Sequence, residues 1–384
     1  MKSGKKLKIC FVLGIDPSFD GGMGLYQRNL LESIKSQNKN YELSVVYFGK
    51  ENKKFLKENV KYVELKSIFP YPLDQIMENL KLASFLKNNN FDVINAHAIF
   101  GAWMQFYKKK KNQILVNTYH GVTYYFFKCH LERFGLFKKI LFSPLLAFSY
   151  FMERPPMKKA DKIICVSERV KNELERLYGK RKSMKFIRTG VDLKKFKRQD
   201  KIKARGRLGL DKNKVYGLYV GRGGYWRKGL DRAVEISEKL YFLDKNYRLI
   251  VIGADKSKVK NLIDKEFLIY VENGEREKMP FYYGASDIFF CMSRYEGGAP
   301  TLVVSEAMAS ECLLVCSKDS QQEIIKNNEN GLIIKYNFKE EAKKINQILG
   351  NKEQKKKIIK KSKETIKKFS LEKWGKEYLE VLLR

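Results

Sequence analysis

Histidine is scarce in this chain: His97, His120 and His130 are the only three among 384 residues. The six cysteines are scattered, and Cys312 and Cys316 share a short stretch with no second pair to complete a zinc site. Cys10, Cys165, Cys291 and Cys316 stand inside apolar runs, where a free thiol behaves as a small buried hydrophobe. No Cys/His cluster and no paired-Asp motif asks for a metal ion, so the sequence predicts metal-independent chemistry and reduced cysteines in a cytosolic protein. Long apolar runs are also missing. None reaches the roughly 20 residues of a spanning helix, and the N-terminus, Met-Lys-Ser-Gly-Lys-Lys-Leu-Lys, leads straight into a strand-like run without a signal peptide. Acidic residues are few, 43 against 77 Lys and Arg, for a formal charge of +34.

A basic excess fits nucleic acid, an anionic membrane surface, an anionic substrate or a generally Lys-rich exterior. A nucleic-acid binder would gather its lysines on one face between stacking aromatics. Here they spread through most helical stretches, and the dense run Lys352 to Lys368 covers most faces of a helix, as a solvated surface does.

What is abundant is alternation. Apolar strand-like runs at 8–13, 42–48, 92–96, 113–118 and 161–167 alternate with helix-like stretches. A second series follows at 216–220, 247–252, 267–271, 287–292, 313–316 and 331–334. Continuous apolar strands between helices imply parallel sheets covered on both faces. Two series predict two doubly wound domains: 1–195, then a charged linker over 196–214, then 215–369. The end of the chain, 370–384, reads as an amphipathic helix expected to pack back on the first domain. One stretch departs from this pattern. Tyr119 to Met157 is rich in Phe, Tyr and Leu with interspersed Lys and Arg, and Pro144 interrupts it. It is a helix packed on the first domain or a segment lying in a membrane interface.

The strongest signal is Gly221-Arg222-Gly-Gly-Tyr-Trp-Arg-Lys228-Gly229, placed where a strand ends and a helix begins. In open parallel sheets ligands bind at the carboxyl ends of strands, and helix N-termini attract anions. Two cations there suit a diphosphate. Downstream, Arg294-Tyr-Glu296-Gly-Gly-Ala-Pro-Thr-Leu-Val-Val-Ser-Glu306 adds two carboxylates able to bind sugar hydroxyls. A diphosphate beside hydroxyl-rich groups describes a nucleotide sugar. Gly21-Gly22-Met-Gly24 follows the first strand without the Gly-x-Gly-x-x-Gly spacing of a dinucleotide fold, and its glycines permit close backbone approach to a ligand. His97 and His120 fall at or just past strand ends, the ligand-facing edge.

This ordered set resembles the family 4 retaining glycosyltransferases. Its members are Gly-Arg-x5-Lys-Gly, the Tyr-Glu-Gly loop running into Ser305-Glu-Ala-Met-Ala, His120-Gly121, the run Ala160 to Ser167 and Thr189-Gly-Val-Asp-Leu-Lys-Lys-Phe196. The resemblance covers essentially the whole chain. It implies the GT-B fold, two Rossmann-like domains facing across a cleft, the first for the acceptor and the second for the nucleotide sugar. It further implies that Arg222 and Lys228 hold the diphosphate, Glu306 the ribose and Glu296 the donor sugar. His120 would lie near the reacting centre and His97 on the acceptor side. The backbone of Gly297, Gly298, Ala299, Pro300 and Thr301 would line the donor sugar, with Gly21 and Gly22 opposite. Nine residues, Gly297 to Ser305, separate the two glutamates, longer than the family's usual interval. Either a bulge absorbs the excess, with Gly297 and Gly298 in unusual dihedrals, or Glu296 is displaced. The expected reaction is metal-independent, retaining hexosyl transfer from a UDP- or GDP-sugar to a sugar or lipid-linked acceptor, with no cofactor. It would take place in the cytoplasm, peripherally at a membrane. The other readings are an epimerase or phosphorylase of the same fold, and a basic nucleic-acid-binding protein.

Overall fold

The computed structural model describes residues 6–14, 16–19, 21–37, 41–67, 73–222, 225–262 and 264–383. They divide into two units, the first Met1–Arg188 with Glu372–Arg384, the second Thr189–Leu371.

The first unit is an eight-stranded sheet of β1 (Leu7–Val12), β2 (Tyr41–Gly49), β3 (Lys53–Lys57), β4 (Val60–Lys66), β5 (Val93–His97), β6 (Ile114–Tyr119), β7 (Lys162–Cys165) and β8 (Met184–Phe186). The spatial order is β3-β4-β2-β1-β5-β6-β7-β8, with every pair parallel except the antiparallel β3–β4 hairpin. Burial on both faces explains why the central strands read as unbroken apolar runs: Ile9, Cys10, Phe11 and Val12 are all essentially inaccessible. The sequence did not announce β3 because it is an exposed edge strand, Lys-Lys-Phe-Leu-Lys, held only by its partner β4.

The second unit contains β9 (Val215–Val220), β10 (Tyr247–Ile252), β11 (Leu268–Val271), β12 (Ile288–Cys291), β13 (Leu313–Ser317) and β14 (Leu332–Ile334). All are parallel in the order β11-β10-β9-β12-β13-β14, the doubly wound dinucleotide-fold order. Alternate residues face opposite layers. Tyr219, Leu249, Val251 and Phe290 join one core, and Leu218, Ile250, Ile252 and Phe289 the other.

The segment expected as a linker is folded. Asp200 caps a helix, Lys201–Arg207, and Arg205 is buried with its guanidinium on Asp287 Oδ2 at 2.8 Å and on the Ala285 carbonyl at 3.1 Å. Lys201 and Lys355 also reach Asp287, at 2.6 and 3.4 Å. The charge-rich composition that resembled a linker is a fastening around one buried carboxylate. Residues 189–195, assigned from sequence to the first domain, also belong to the second unit, because Val191 and Phe196 are buried in its core. The C-terminal helix, Leu371–Leu383, is part of the first unit. Its Tyr378 hydroxyl donates to Asn95 Oδ1 at 2.8 Å, and Trp374 meets the Tyr26 ring edge-on at 4.9 Å. The aromatic stretch folds as three helices, Thr123–Leu131, Leu136–Phe142 and Pro144–Lys159, with Pro144 opening the third. The lysine-rich run forms the helix Lys352–Ile366, which buries Ile358, Ser362 and Ile366. All six cysteines are buried free thiols.

Candidate functional site

Each sheet has a switch point where the order of strands reverses, between β9 and β12 in the second unit and between β1 and β5 in the first. Ligands of open parallel sheets bind outside the carboxyl ends of strands at such points. The residues singled out from sequence fall at these two places.

In the second unit β9 ends at Val220, and Gly221 donates its N–H to the Ile252 carbonyl at 3.1 Å. Arg222 follows, exposed, its stem passing so close to Gly253 that a Cβ there would stand 3.7 Å from Arg222 Cγ. Gly223 and Gly224 lie outside the described residues. The helix Leu230–Leu243 begins after Gly229, whose φ of +70° is left-handed and whose missing Cβ would lie 2.0 Å from the Met292 carbonyl oxygen. Only glycine fits, and the contact brings the turn against the end of β12. The two loops are then laced together. Arg294 donates its N–H to the Arg227 carbonyl at 2.8 Å and grips Asp231 with both guanidinium nitrogens at 2.9 and 2.6 Å. Arg227 donates to the Tyr295 carbonyl at 3.1 Å.

This lacing holds Lys228 Nζ 2.6 Å from Glu296 Oε1, an oxygen that Ser293 Oγ also reaches at 2.6 Å. Arg227 stands 3.7 Å from the other carboxylate oxygen. Burial alone would raise the Glu296 pKa. The nearby Lys228 and Arg227 charges, with the Lys228 and Ser293 hydrogen bonds, outweigh it and hold the carboxyl below its ordinary value. Glu296 therefore lies beside Lys228, with the long interval to Glu306 following it. Neither Gly297 nor Gly298 has a left-handed φ; the intervening loop carries a cis Ala299–Pro300 peptide.

Glu306 sits one turn into the helix Leu302–Ala309. It is buried, with Arg276 on Oε1 at 2.6 Å and the Tyr283 hydroxyl on Oε2 at 2.9 Å. An ionised carboxylate has about four acceptor sites, so these two bonds leave capacity for hydroxyl donors. At the start of the same helix, the Thr301 N–H is taken by Gln322 Oε1 at 2.9 Å. That corrects the expectation that this amide faces the donor sugar. The Thr301 and Ser305 hydroxyls, by contrast, are buried without a hydrogen-bond partner among the described residues.

The first unit's switch point presents glycine, tyrosine and histidine. The helix Gly22–Lys35 has Gly21 as its cap. Nothing lies within 4 Å of a Cβ built on Gly22, whereas one on Gly24 would stand 2.1 Å from the Phe19 carbonyl oxygen. Gly24 serves packing, whereas Gly22 faces open space. His97 ends β5, His120 directly follows β6, and their rings meet through Nδ1 and Nε2 at 2.8 Å. The edge of Tyr26 packs on the His120 ring at 4.2 Å. Burial pushes the His120 imidazole down to about 3, and burial with the neighbouring His120 pushes His97 well below its usual value. Both are neutral at physiological pH. Glu153 fixes the turn carrying His120, accepting the Thr123 N–H at 2.8 Å, and burial lifts its carboxyl to about 7.

Sequence reasoning missed Ser293, Arg227, Arg276, Tyr283, Tyr26 and Glu153. Arg227 lay inside the quoted motif and its charge was the available signal. Arg276 and Tyr283 come from a different stretch and are brought in only by folding. Among the described residues no three His, Cys, Asp or Glu gather as a metal site.

Both units match family models of known proteins. Residues 20–195 match the family described as Glycosyltransferase Family 4, and residues 200–365 match Glycosyl transferases group 1. An uncharacterized glycosyltransferase of Methanocaldococcus jannaschii is 25% identical over 99% of both chains. Among solved structures, sucrose-phosphate synthase of Thermosynechococcus elongatus superposes with a TM-score of 0.82 at 18% identity, over 98% of both chains. HepE of Anabaena, in complex with UDP-glucose, gives 0.72 at 16% identity over 98% of this chain and 99% of its own.

Proposed function

The chain belongs to the family 4 glycosyltransferases of the GT-B fold, and on that premise we propose that it moves a sugar from a nucleotide diphosphate sugar to a saccharide or lipid-linked acceptor. The observation that carries the reading is the second unit's switch point. There Lys228 is clamped beside buried Glu296 while Arg222 leaves the adjacent strand end. Lys228 has three donors, so the bond to Glu296 leaves others for phosphate oxygens. Arg222 and Lys228 would neutralise the charge that develops on the departing diphosphate. Glu306, with hydroxyl-accepting capacity beside Arg276, would take the ribose, and Ser305 and Thr301 offer further hydroxyls. HepE, a structural relative, is complexed with UDP-glucose, which favours a UDP-sugar donor.

In this reading the bond between the anomeric carbon and the diphosphate oxygen breaks and a bond to the acceptor oxygen forms on the same face. The acceptor's proton passes to the departing phosphate oxygen, and the anomeric configuration is retained. A carboxylate nucleophile, as in retaining glycosidases, is disfavoured because Glu296 is engaged by Lys228 and Ser293. His120, neutral, would hydrogen-bond the donor sugar, and His97 would support it from the acceptor side. The cations are side chains, so no metal is needed. We also place the enzyme peripherally on an anionic membrane surface on the cytoplasmic side.

A thermal-shift screen of UDP, GDP, ADP and their common sugars, with and without magnesium, tests the donor site. The expected result is metal-independent stabilisation by one nucleotide that Arg222→Ala abolishes. Stabilisation by none, or stabilisation that Arg222→Ala leaves intact, removes the proposed site.

A further inference from the structure

The helix Leu136–Phe142 buries none of its residues. Leu136 is 76%, Phe137 80%, Ile140 64% and Leu141 60% exposed. At about 100° per residue these four side chains share one arc of roughly 140°. Lys138 and Lys139 fall on the opposite arc. On the basic side the Arg133 guanidinium lies 4.5 Å and the Lys138 ammonium 5.6 Å from the Phe134 ring centre, and Phe134 meets Phe142 at 6.0 Å. The apolar arc faces outward, and Lys138 and Lys139 are exposed beside it. Across Thr123–Lys159, the three helices around it, seven Lys and Arg stand against two Glu, and one of those, Glu153, is buried.

We propose that the helix Leu136–Phe142 is an interfacial anchor that inserts Leu136, Phe137, Ile140 and Leu141 into an anionic lipid surface. A seven-residue helix that buries none of its residues gains little from the protein it belongs to and is marginal alone in water. Its apolar side chains need a covering. Charge decides which: the surrounding excess of Lys and Arg is complementary to acidic headgroups, and such amphipathic helices lie at the boundary of headgroups and acyl chains. No helix among the described residues is long and apolar enough to cross a membrane, so the anchor lies on the bilayer. The inference deepens the peripheral-membrane reading and rests on it. It does not depend on the donor site, which lies in the other unit.

The test is flotation of the full chain with vesicles of phosphatidylcholine alone or with about one third phosphatidylglycerol. The protein is expected to float with the acidic vesicles at low salt and to be released as salt rises. Phe137→Ser with Leu141→Ser removes exposed side chains, so the variant keeps its fold, and it should lower partitioning at least tenfold. Lys138→Gln with Lys139→Gln should lower it about thirtyfold at low salt, at about 1 kcal/mol for each charge. Thermal stabilisation by nucleotide should persist in both variants, which separates failure of the anchor from failure of the transferase reading. Absence of flotation, or flotation unchanged by Phe137→Ser with Leu141→Ser, overturns the proposal. So does self-association that the same pair abolishes without any vesicle binding, since the arc is then a contact between copies of the chain.

Discussion

The two switch points are built from opposite materials. In the second unit the loops after β9 and β12 are tied by Arg227, Lys228, Arg294, Asp231 and Glu296 into an ion-paired lattice. In the first unit the corresponding edge carries Gly22, Tyr26, His97 and His120, none of them charged at neutral pH. The same topology thus yields one site pre-organised for charge and one that offers shape and neutral hydrogen bonds. A charged lattice costs little reorganisation when an anion arrives, because its dipoles and cations already stand in place. A neutral site can discriminate an uncharged sugar without competing for the diphosphate.

Breaking the charged side should have the largest effect. Lys228→Met is expected to lower kcat/KM for sugar transfer about a thousandfold, and to lower stability by leaving Glu296 buried without its nearest cation. Adding Glu296→Gln should restore stability, read by thermal melting, while turnover stays low. A double variant that recovers turnover would show that Lys228 acts only through the pair. Arg276→Met comes next. It leaves Glu306 buried with Tyr283 alone, a loss of about 3–5 kcal/mol, or roughly 10 °C in the melting temperature. A change within 2 °C would show that Glu306 does not need Arg276.

How much of this contrast was legible in the sequence follows the same division. The strands of both sheets read clearly where they are buried on both faces, as with Ile9 to Val12, because apolar runs leave a direct trace. β3 did not, being lysine-rich and exposed. Arg222, Lys228 and Glu296 were legible as a local spacing at a strand end, and Gly229 as the turn that spacing requires. Arg276 and Tyr283 were not, since they reach Glu306 from 30 and 23 positions away and carry no motif. The linker reading of 196–214 failed because composition cannot tell a solvated charge from Arg205, whose guanidinium is spent on Asp287 inside the core. Likewise the long interval left a bulge and a displaced Glu296 both open on length alone, and the contact of Glu296 with Lys228 is visible only in the folded chain.

Titration sharpens the comparison from the neutral side. The His97 and His120 pKa values are lowered on folding, to about 3 for His120. Below about pH 6.5 the unfolded chain therefore binds more protons, and this pair makes stability rise with pH between about 3 and 6.5, by up to about 1.4 kcal/mol per pH unit for each proton. Glu153 works in the other direction. Its pKa is raised to about 7, so its contribution is complete below about 4.5 and is lost as pH rises through 7. The two slopes oppose each other between about 4.5 and 6.5. Glu153→Gln should remove one of them, and denaturant melts across that range should then show stability rising more steeply with pH than in wild type. Parallel wild-type and variant curves would mean that Glu153 is ionised in the folded chain.

The smallest expected effect is also the most direct comparison of the two sites. A neutral imidazole contributes a single uncharged hydrogen bond to a substrate, worth about 0.5–1.5 kcal/mol, so His120→Gln should reduce kcat/KM only about tenfold. The rate profile should show no limb near pH 6.5, because burial keeps the imidazole unprotonated there. A thousandfold loss with such a limb would mean that His120 becomes a cation in the loaded enzyme. The first unit's switch point would then carry charge after all, and the division between a charged donor site and a neutral partner would fail at that residue.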